Sequence, residues 1–544
     1  MRRRYPAEAG YTFDMRLRKA RIPLCAGALL GIGFIIPALW WCSFLGLALF
    51  LDASFKASSV RSAAIVGGVT GIVWYGIMLA PTFWGILPLD WFGIDSVALQ
   101  ILAVSFSWAL ASFVPVVGVV LLSVILFRID ARGGASSWSS LLYVPALWVL
   151  TEWVSAFLVS IASFGPGASI DGDFFFGATG YLVANDIVLL QIARLGGIYG
   201  LSLLVALIGT LIYIALRGKR RLDRIVAASC IAAALCAVLI LHLIGFPKPA
   251  PTDGLQPLTV AVMSRYVPPR LRPTPAQAES DFENAYQFVK SLRGVDLLVF
   301  PEDTAFLRAT QDGSHDAAIK SLGLLGTGSS SPLVIDSDDM HASDGRLLSR
   351  VSYAEGDSVT YGYKQMFMPF GEYIPYLYRG ILTVAGGRQL LDTITAVRGY
   401  APGPSGGFGI IHGALIAVRF CDEAFSPELY RSQVADGANV LVDISSQSWF
   451  HESRMIYSQM QNVARVRAAE SERPFVQSGN MSPAFVLDAH GRVIAETEWD
   501  RPEVLQVPIT PERRTTLYTV IGNKIVFILL LLIGVVMGWR YIKR

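Results

Sequence analysis

The sequence predicts a polytopic α-helical membrane bundle of about eight spans, carrying one large α/β domain outside the cytoplasm. Three observations lead there. Hydrophobic residues fill 53% of the 544 positions and charged ones only 16%, against about 25% charged in an ordinary soluble domain. The apolar residues are concentrated: 22–246 is almost continuously apolar, 247–518 has globular composition, and 519–538 is apolar again. Basic residues recur in every second loop, the pattern that orients helices in a membrane. A net charge of +3 is too small to argue for nucleic acid, and no such partner is expected.

Span positions follow from length, since about 20 apolar residues cross a bilayer. They fall near 22–36, 38–53, 63–85, 97–127, 140–163, 195–216, 224–245 and 519–538. The first two are short and separated only around Pro37, so they form two spans, the preferred count, or one re-entrant hairpin. The first run shows no clear small-x-small cleavage site and further spans follow directly, so it is not read as a cleavable signal peptide. Residues 1–21 hold Arg2, Arg3, Arg4, Arg16, Arg18, Lys19 and Arg21. Alternate loops continue the bias with Lys56 and Arg61, Arg128 and Arg132, then Arg217, Lys219, Arg220, Arg221 and Arg224. The tail 539–544 ends in Arg540, Lys543 and Arg544. The intervening loops carry Asp90 and Asp95, then Asp171, Asp173 and Asp186, with no basic residue before Arg194. Both termini are therefore expected in the cytoplasm, with seven spans in 22–246, one in 519–538, and domain 247–518 outside.

Within 247–518 the pattern alternates between strand and helix. Strand-like runs are 258–263, 295–300, 332–335, 361–368, 414–420, 440–444 and 474–477, and helical periodicity fills 276–292 and 453–469. Segments 343–346 and 488–492 read as hairpin turns with glycine at the positive-φ position. The Gly/Ser/Pro-rich stretches 326–331 and 401–409 read as mobile loops.

Three segments carry chemistry. Leu297-Leu298-Val299-Phe300-Pro301-Glu302 is a buried strand ending in a carboxylate. Tyr363-Lys364-Gln365-Met366-Phe367-Met368-Pro369-Phe370-Gly371-Glu372-Tyr373-Ile374-Pro375 places a lysine before a Pro/Gly-punctuated run. Ala417-Val418-Arg419-Phe420-Cys421-Asp422-Glu423 is a strand leading to a cysteine at its end, where a side chain is held rigidly yet exposed. A thiol is a poor nucleophile until it loses its proton, so it needs a base and a nearby cation. Glu302 can take the Cys421 proton, and Lys364 can favour the thiolate and then stabilise an oxyanion. Cys25, Cys42, Cys230 and Cys236 lie in predicted spans, which leaves Cys421 alone in the external domain. In an oxidising compartment structural cysteines normally pair, so the unpaired one reads as a nucleophile rather than a small buried hydrophobe. A Cys-His dyad finds no orienting partner for any of the domain's histidines. No Cys/His cluster has metal spacing, so neither metal nor cofactor is expected.

Glu, Lys and Cys in this order resemble the catalytic triad of the nitrilase superfamily. The Pro369-Phe370-Gly371-Glu372-Tyr373-Ile374-Pro375 run resembles its apolipoprotein N-acyltransferase branch, as does the layout of seven spans, domain and final span over nearly the whole chain. The resemblance implies an αββα sandwich for 247–518 and a bacterial inner-membrane enzyme with its domain in the periplasm. It implies that Cys421 attacks a membrane phospholipid ester and that the thioester then acylates the α-amine of a lipoprotein's diacylglyceryl cysteine. The protein is expected to work as a monomer. Glu372 and Glu423 match acidic residues the family uses to shape its site; stabilising their own turns is the other reading.

Substrate contacts are read more thinly. Glu152, an acid at membrane depth, faces either a polar cavity or a helix partner. Phe174, Phe175 and Phe176, preceded by Asp171 and Asp173, either bury in the acyl boundary near a lipid substrate or belong to a plain linker. Trp449 is a further candidate contact. The segment Gln191–Ser202 also resembles the family's sixth span, although close helix packing explains its glycines equally. Departures from the family fall at Ser163-Phe164-Gly165-Pro166-Gly167, at Met263-Ser264-Arg265-Tyr266, near Pro273, where a tryptophan is expected, and at Asp422, where tyrosine is usual. They touch substrate binding more than the triad and leave room for a paralogue with another acceptor. A membrane-tethered amidase passing its acyl group to water, and a non-catalytic lipid- or lipoprotein-binding relative, are the competing classes.

Overall fold

A computed structural model describes residues 7–130, 138–170, 172, 174, 177–245, 254–270, 273–311, 331–343, 345–389, 391–392, 395 and 399–542. The N-terminal half is helical: α1 Ala7–Ile32, α2 Cys42–Phe55, α3 Val60–Trp84, α4 Val97–Phe113, α5 Val116–Asp130, α6 Ser140–Ala162, α7 Ala193–Arg217 and α8 Arg221–Ile244. Each of the seven runs expected in 22–246 coincides with helix, but they are not equivalent. Among the described residues six helical segments, one of them Leu517–Gly534, are long and apolar enough to cross a membrane, while 20–32 and Cys42–Phe55 are shorter. The run expected as one span over 97–127 is two helices, α4 and α5, broken at Val114–Pro115. Proline cannot donate the N–H that a continuous helix needs there. Together Val97–Ile129 is 33 residues, or about 50 Å of helix, more than the roughly 30 Å of a bilayer core.

The glycines of α7 do more than allow close packing. Gly196 and Gly197 leave helical geometry, and Gly197 takes φ +57. A Cβ on Gly197 would stand 2.4 Å from the Tyr518 ring. Only glycine meets both demands, so the regular part of this span starts after it.

Residues from 254 onward build two six-stranded sheets face to face. One has the order β12 (Glu503–Ile509), β1 (Leu258–Arg265), β2 (Leu297–Val299), β3 (Leu333–His341), β4 (Leu347–Glu355), β5 (Ser358–Tyr363). The other has β6 (Gly409–Ile411), β7 (Ala414–Phe420), β8 (Val440–Ile444), β9 (Phe475–Asn480), β10 (Phe485–Leu487), β11 (Val493–Glu496). They touch at one edge, where Ser264 and Arg265 pair with Gly479 and Asn480. Strand periodicity sends alternate side chains to opposite faces. Val260, Val262, Leu297, Val299, Ile416, Val418, Val440, Val442 and Val476 fill the space between the sheets. Ala261, Met263, Leu298 and Val334 face outward onto α9 (Pro275–Val289) and α10 (Phe306–Gln311). On the other side Ala417, Leu441 and Phe475 face outward to α12 (Pro427–Ala435), α13 (Arg454–Ser471) and α7 of the bundle. This is the expected αββα sandwich, with one helical layer continuous with the bundle. Helix α11 (Tyr376–Val384) meets the bundle side through Tyr378 against Phe106 of α4 at 6.2 Å and Tyr376 against Phe164 at 5.6 Å, and α14 (Ile525–Ile542) is the last helix.

Gly345 and Gly491, both at φ +83, sit in the two expected hairpin turns. The strand expected over 361–368 ends earlier: β5 stops at Tyr363, and Lys364 follows it with its amide still donating to the Ser349 carbonyl of β4 at 3.0 Å. Strands β4, β6, β10, β11 and β12 were not expected. Residues 401–408 are irregular and lead into β6, whereas 326–330 lie outside the described residues.

Candidate active site

Parallel strands β1, β2, β7, β8 and β9 carry their carboxyl ends to one edge of the sandwich, the usual place for a ligand in such sheets. Pro301 follows β2 and Glu302 comes next. The Glu302 carbonyl accepts from Arg265 Nη2 at 2.8 Å, and the next amide, of Asp303, donates to Ser337 Oγ at 2.9 Å. Glu302 is thus pinned from both neighbouring strands.

Lys364 is the centre of the site. Its side chain is 3% exposed, and its Nζ lies 2.8 Å from Asp422 Oδ1, 2.9 Å from Glu372 Oε1 and 3.3 Å from Glu302 Oε1. Glu372 is itself held by accepting at Oε2 from the Met368 amide at 2.7 Å. Glu423 does not reach the lysine. Its Oε1 accepts from the Gln365 and Met366 amides at 2.7 and 3.1 Å, and its Oε2 accepts from the Phe420 amide at 3.0 Å. Glu423 therefore ties the chain after Lys364 to the chain before Cys421. Of the two supporting acids, one touches the cation and the other fixes the loops.

Cys421 follows the last residue of β7 and opens a 3₁₀ turn, Cys421–Phe425, with φ +37. That conformation is costly for a residue with a Cβ and persists where surroundings impose it; it turns the side chain out of the sheet. Sγ receives a hydrogen bond from Ser445 Oγ at 3.4 Å and points its own proton at the Ser446 carbonyl, 3.7 Å away.

Protonation follows from burial and charge. Burial pushes the Cys421 thiol well above its ordinary value, Glu302 and Asp422 push the same way, and Lys364 only partly offsets them. The resting group is a thiol, not the thiolate that proximity to a lysine alone would suggest. Burial works against the Lys364 ammonium, but Asp422, Glu302 and Glu372 outweigh it and hold its pKa well above normal. Burial also raises Glu302 well above the usual carboxylate range, with Lys364 opposing. A cysteine in this setting reacts only with a base that removes its proton as it attacks.

From this cluster a cavity of about 380 Å³ runs toward the helices, reaching Leu79 of α3, Leu110 of α4 and Val159 of α6. Its walls include Phe174 and Trp449. Phe174 meets Phe425 edge-on at 6.2 Å, and Trp449 meets Trp91 of the 85–96 loop edge-on at 4.7 Å. Asp171, Asp173, Phe175 and Phe176 lie outside the described residues. Glu152 does not line this cavity. It is buried in α6, and its Oε1 accepts from Trp148 Nε1 at 2.9 Å and from the Thr179 amide and hydroxyl at 2.9 and 2.6 Å. Those contacts tie α6 to the chain at Thr179. The departing segment 163–167 seats the acidic motif: Tyr373 OH donates to the Ser163 carbonyl at 2.7 Å, and the Tyr376 amide to Phe164 at 2.9 Å. A Cβ on Gly165 would come within 2.6 Å of the Tyr373 ring.

Sequence reasoning missed Asp422 as a member of the site and missed the cavity wall. Adjacency to Cys421 was a usable signal for the first. The second had none, because cavity-facing and lipid-facing residues of α4 are equally apolar.

Comparison with known proteins adds two domain matches. Residues 26–211 match the apolipoprotein N-acyltransferase N-terminal domain, and residues 395–518 match the carbon-nitrogen hydrolase domain. A Geobacter metallireducens apolipoprotein N-acyltransferase is 26% identical over 503 residues, covering 88% of this chain and 87% of its own. A protein of the same name from Nostoc is 24% identical, covering 84% and 86%. A carbon-nitrogen hydrolase from Helicobacter pylori is similar over 49% of this chain and 94% of its own, at 15% identity and a TM-score of 0.35.

Proposed function

We propose that this chain, which resembles apolipoprotein N-acyltransferases over most of its length, N-acylates lipoproteins through a Cys421 thioester loaded from a membrane phospholipid. Glu302 takes the thiol proton as Sγ attacks the ester carbonyl. Lys364, with backbone N–H groups, stabilises the oxyanion. The C–O bond then breaks, and Glu302 returns the proton to the leaving lysophospholipid. In the second half the α-amine of a diacylglyceryl cysteine attacks the thioester, the C–S bond breaks, and Sγ regains a proton. One observation carries this reading: a buried ammonium shared by Glu302 and two further carboxylates, beside Cys421, at the end of an apolar cavity running into the bundle. An acyl chain still anchored in the bilayer has that route to the thiol, and apolar walls keep water from the thioester. The protein acts as a monomer in the bacterial inner membrane, with residues 247–518 in the periplasm.

Purified protein given phospholipid alone should gain one acyl chain by intact mass. The adduct should persist in buffer and vanish when a diacylglyceryl-cysteine peptide is added, as the peptide amine gains the chain. An adduct that decays in buffer and ignores the peptide would make the chain an amidase-type hydrolase. Sidedness has its own test. A reporter active only outside the cytoplasm should work when fused after Pro251 and fail after Arg224 or at the C-terminus, given the Lys/Arg asymmetry. Activity at the C-terminal fusion would make the span count odd and would single out 22–53 as a hairpin.

A further inference from the structure

The residue after the cysteine lies closer to Lys364 than Glu302 does. Asp422 is 3% exposed, and its Oδ1 sits 2.8 Å from Lys364 Nζ. Its Oδ2 is buried and accepts no hydrogen bond, and the residue lines the cavity together with Cys421. A buried carboxylate oxygen without a donor is costly, so a site retains one where it has a use. The charged and titratable groups around Asp422 are Lys364, Glu302, Glu372, Glu423, Cys421, Asp443 and Tyr373. Burial pushes Asp422 up to about 7 against the pull of Lys364. It therefore exchanges a proton near neutral pH.

Proton counting supplies the use. An ordinary α-amine has a pKa of about 7.7–8.0, so near pH 7 the acceptor arrives mostly as an ammonium. Forming an amide from that ammonium and a thioester removes two protons from nitrogen. One converts the departing Sγ to a thiol, and Glu302 carries it. The other needs a second acceptor, whereas transfer to water would not.

Resting on the acyl-transfer reading above, we propose that Asp422 is a second catalytic carboxylate, whose Oδ2 takes the first proton from the acceptor ammonium. The free amine then attacks the thioester carbon, forming C–N. Its second proton passes through Glu302 to Sγ as C–S breaks, and Asp422 releases the first proton to water.

The experiment isolates the second half-reaction. Acyl-enzyme is formed with phospholipid, freed of donor, mixed with a diacylglyceryl-cysteine peptide, and followed by loss of the adduct between about pH 6 and pH 9. Asp422→Asn should transfer roughly tenfold or more slower than wild type at the acid end. The gap should narrow toward the alkaline end, where water deprotonates the amine. Hydroxylamine, uncharged near neutrality, should narrow it in the same way. Asp422→Glu, which keeps a carboxylate, should lie between the two and gives a second measurement if Asp422→Asn fails to load. A deficit equal at every pH and with both nucleophiles would make Asp422 only a counter-charge for Lys364 and overturn the proposal. So would the absence of any deficit, or Asp422→Glu falling at or below Asp422→Asn. A wild-type protein that forms no adduct, or loses it to water regardless of peptide, would instead sink the acyl-transfer reading itself.

Discussion

Cys421→Ala is expected to abolish both the acyl adduct and turnover, leaving a rate four or more orders of magnitude below wild type, the scale seen when a covalent enzyme loses its nucleophile. The reasons are local. Cys421 is the only cysteine in 247–518. The hydroxyls beside it do not replace it, since Ser445 Oγ spends its proton on Sγ itself, and a serine near a base tuned for a thiol is a far weaker nucleophile. The substitution is also a clean one. Alanine keeps the Cβ, so the cost of φ +37 at this turn is the same in both proteins. The Glu423 bonds that hold the turn use backbone amides of Phe420, Gln365 and Met366, not the thiol. Intact-mass analysis after incubation with phospholipid gives the answer directly. An acyl adduct on the variant would remove Cys421 from the role, whatever the turnover.

The three chemistry-bearing segments were legible because each is a short polar statement at the end of an apolar strand. Pro301-Glu302, Lys364 and Cys421 all stand where a ladder stops, and the chain's own topology then brings those strand ends together. What could not be read was which acids would reach the lysine. Glu372 and Glu423 look alike in sequence, eight residues after Lys364 and two after Cys421 in separate loops. Yet Glu372 lies 2.9 Å from Nζ while Glu423 is consumed by three backbone amides. Asp422 faces the lysine because Cys421 takes a left-handed conformation. That backbone choice reverses the alternation a strand would have predicted, and no pattern in the residues announces it.

The fold divides along the same line. Strands buried on both faces, such as 414–420 and 440–444, coincide with their apolar runs because nothing polar interrupts them. Strand β12 was missed because its burial is irregular, with Glu503 and Gln506 among its residues, although it pairs with β1 along seven residues. In the bundle, hydropathy located the helices but not their breaks. Pro115 and the Gly196–Gly197 step act through backbone geometry inside runs that remain apolar throughout.

Lys364→Met should lose activity by at least about 10³-fold, and should leave a signature in stability that losing an oxyanion donor alone does not produce. Removing one such donor costs about 10²–10³ in rate. The larger loss follows because Lys364 also lowers the pKa of Glu302 and of Asp422. Without it three carboxylates face one another in a buried site, Glu302 and Asp422 lose the cation that pulls their pKa values down, and Glu302 holds a proton at neutral pH instead of accepting one. The sign of the stability effect then follows. Carboxyls whose folded values are raised bind more protons in the folded state than in the unfolded one, where Asp and Glu titrate near about 3.9 and 4.3. Their contribution is full below those values and is lost as pH rises through the folded values, which for Asp422 is already about 7 in the wild type and moves higher in the variant. Lys364→Met should therefore be least stable relative to wild type near about pH 8, by roughly 3 kcal/mol or more, the scale of a buried charge stripped of its partner. It should recover toward wild type near about pH 5. Thermal unfolding of both proteins in detergent across that range measures the difference. A deficit that stays flat with pH would mean that the carboxylates around Nζ are solvated rather than buried together, and the account of Lys364 as the hub of the site would fail.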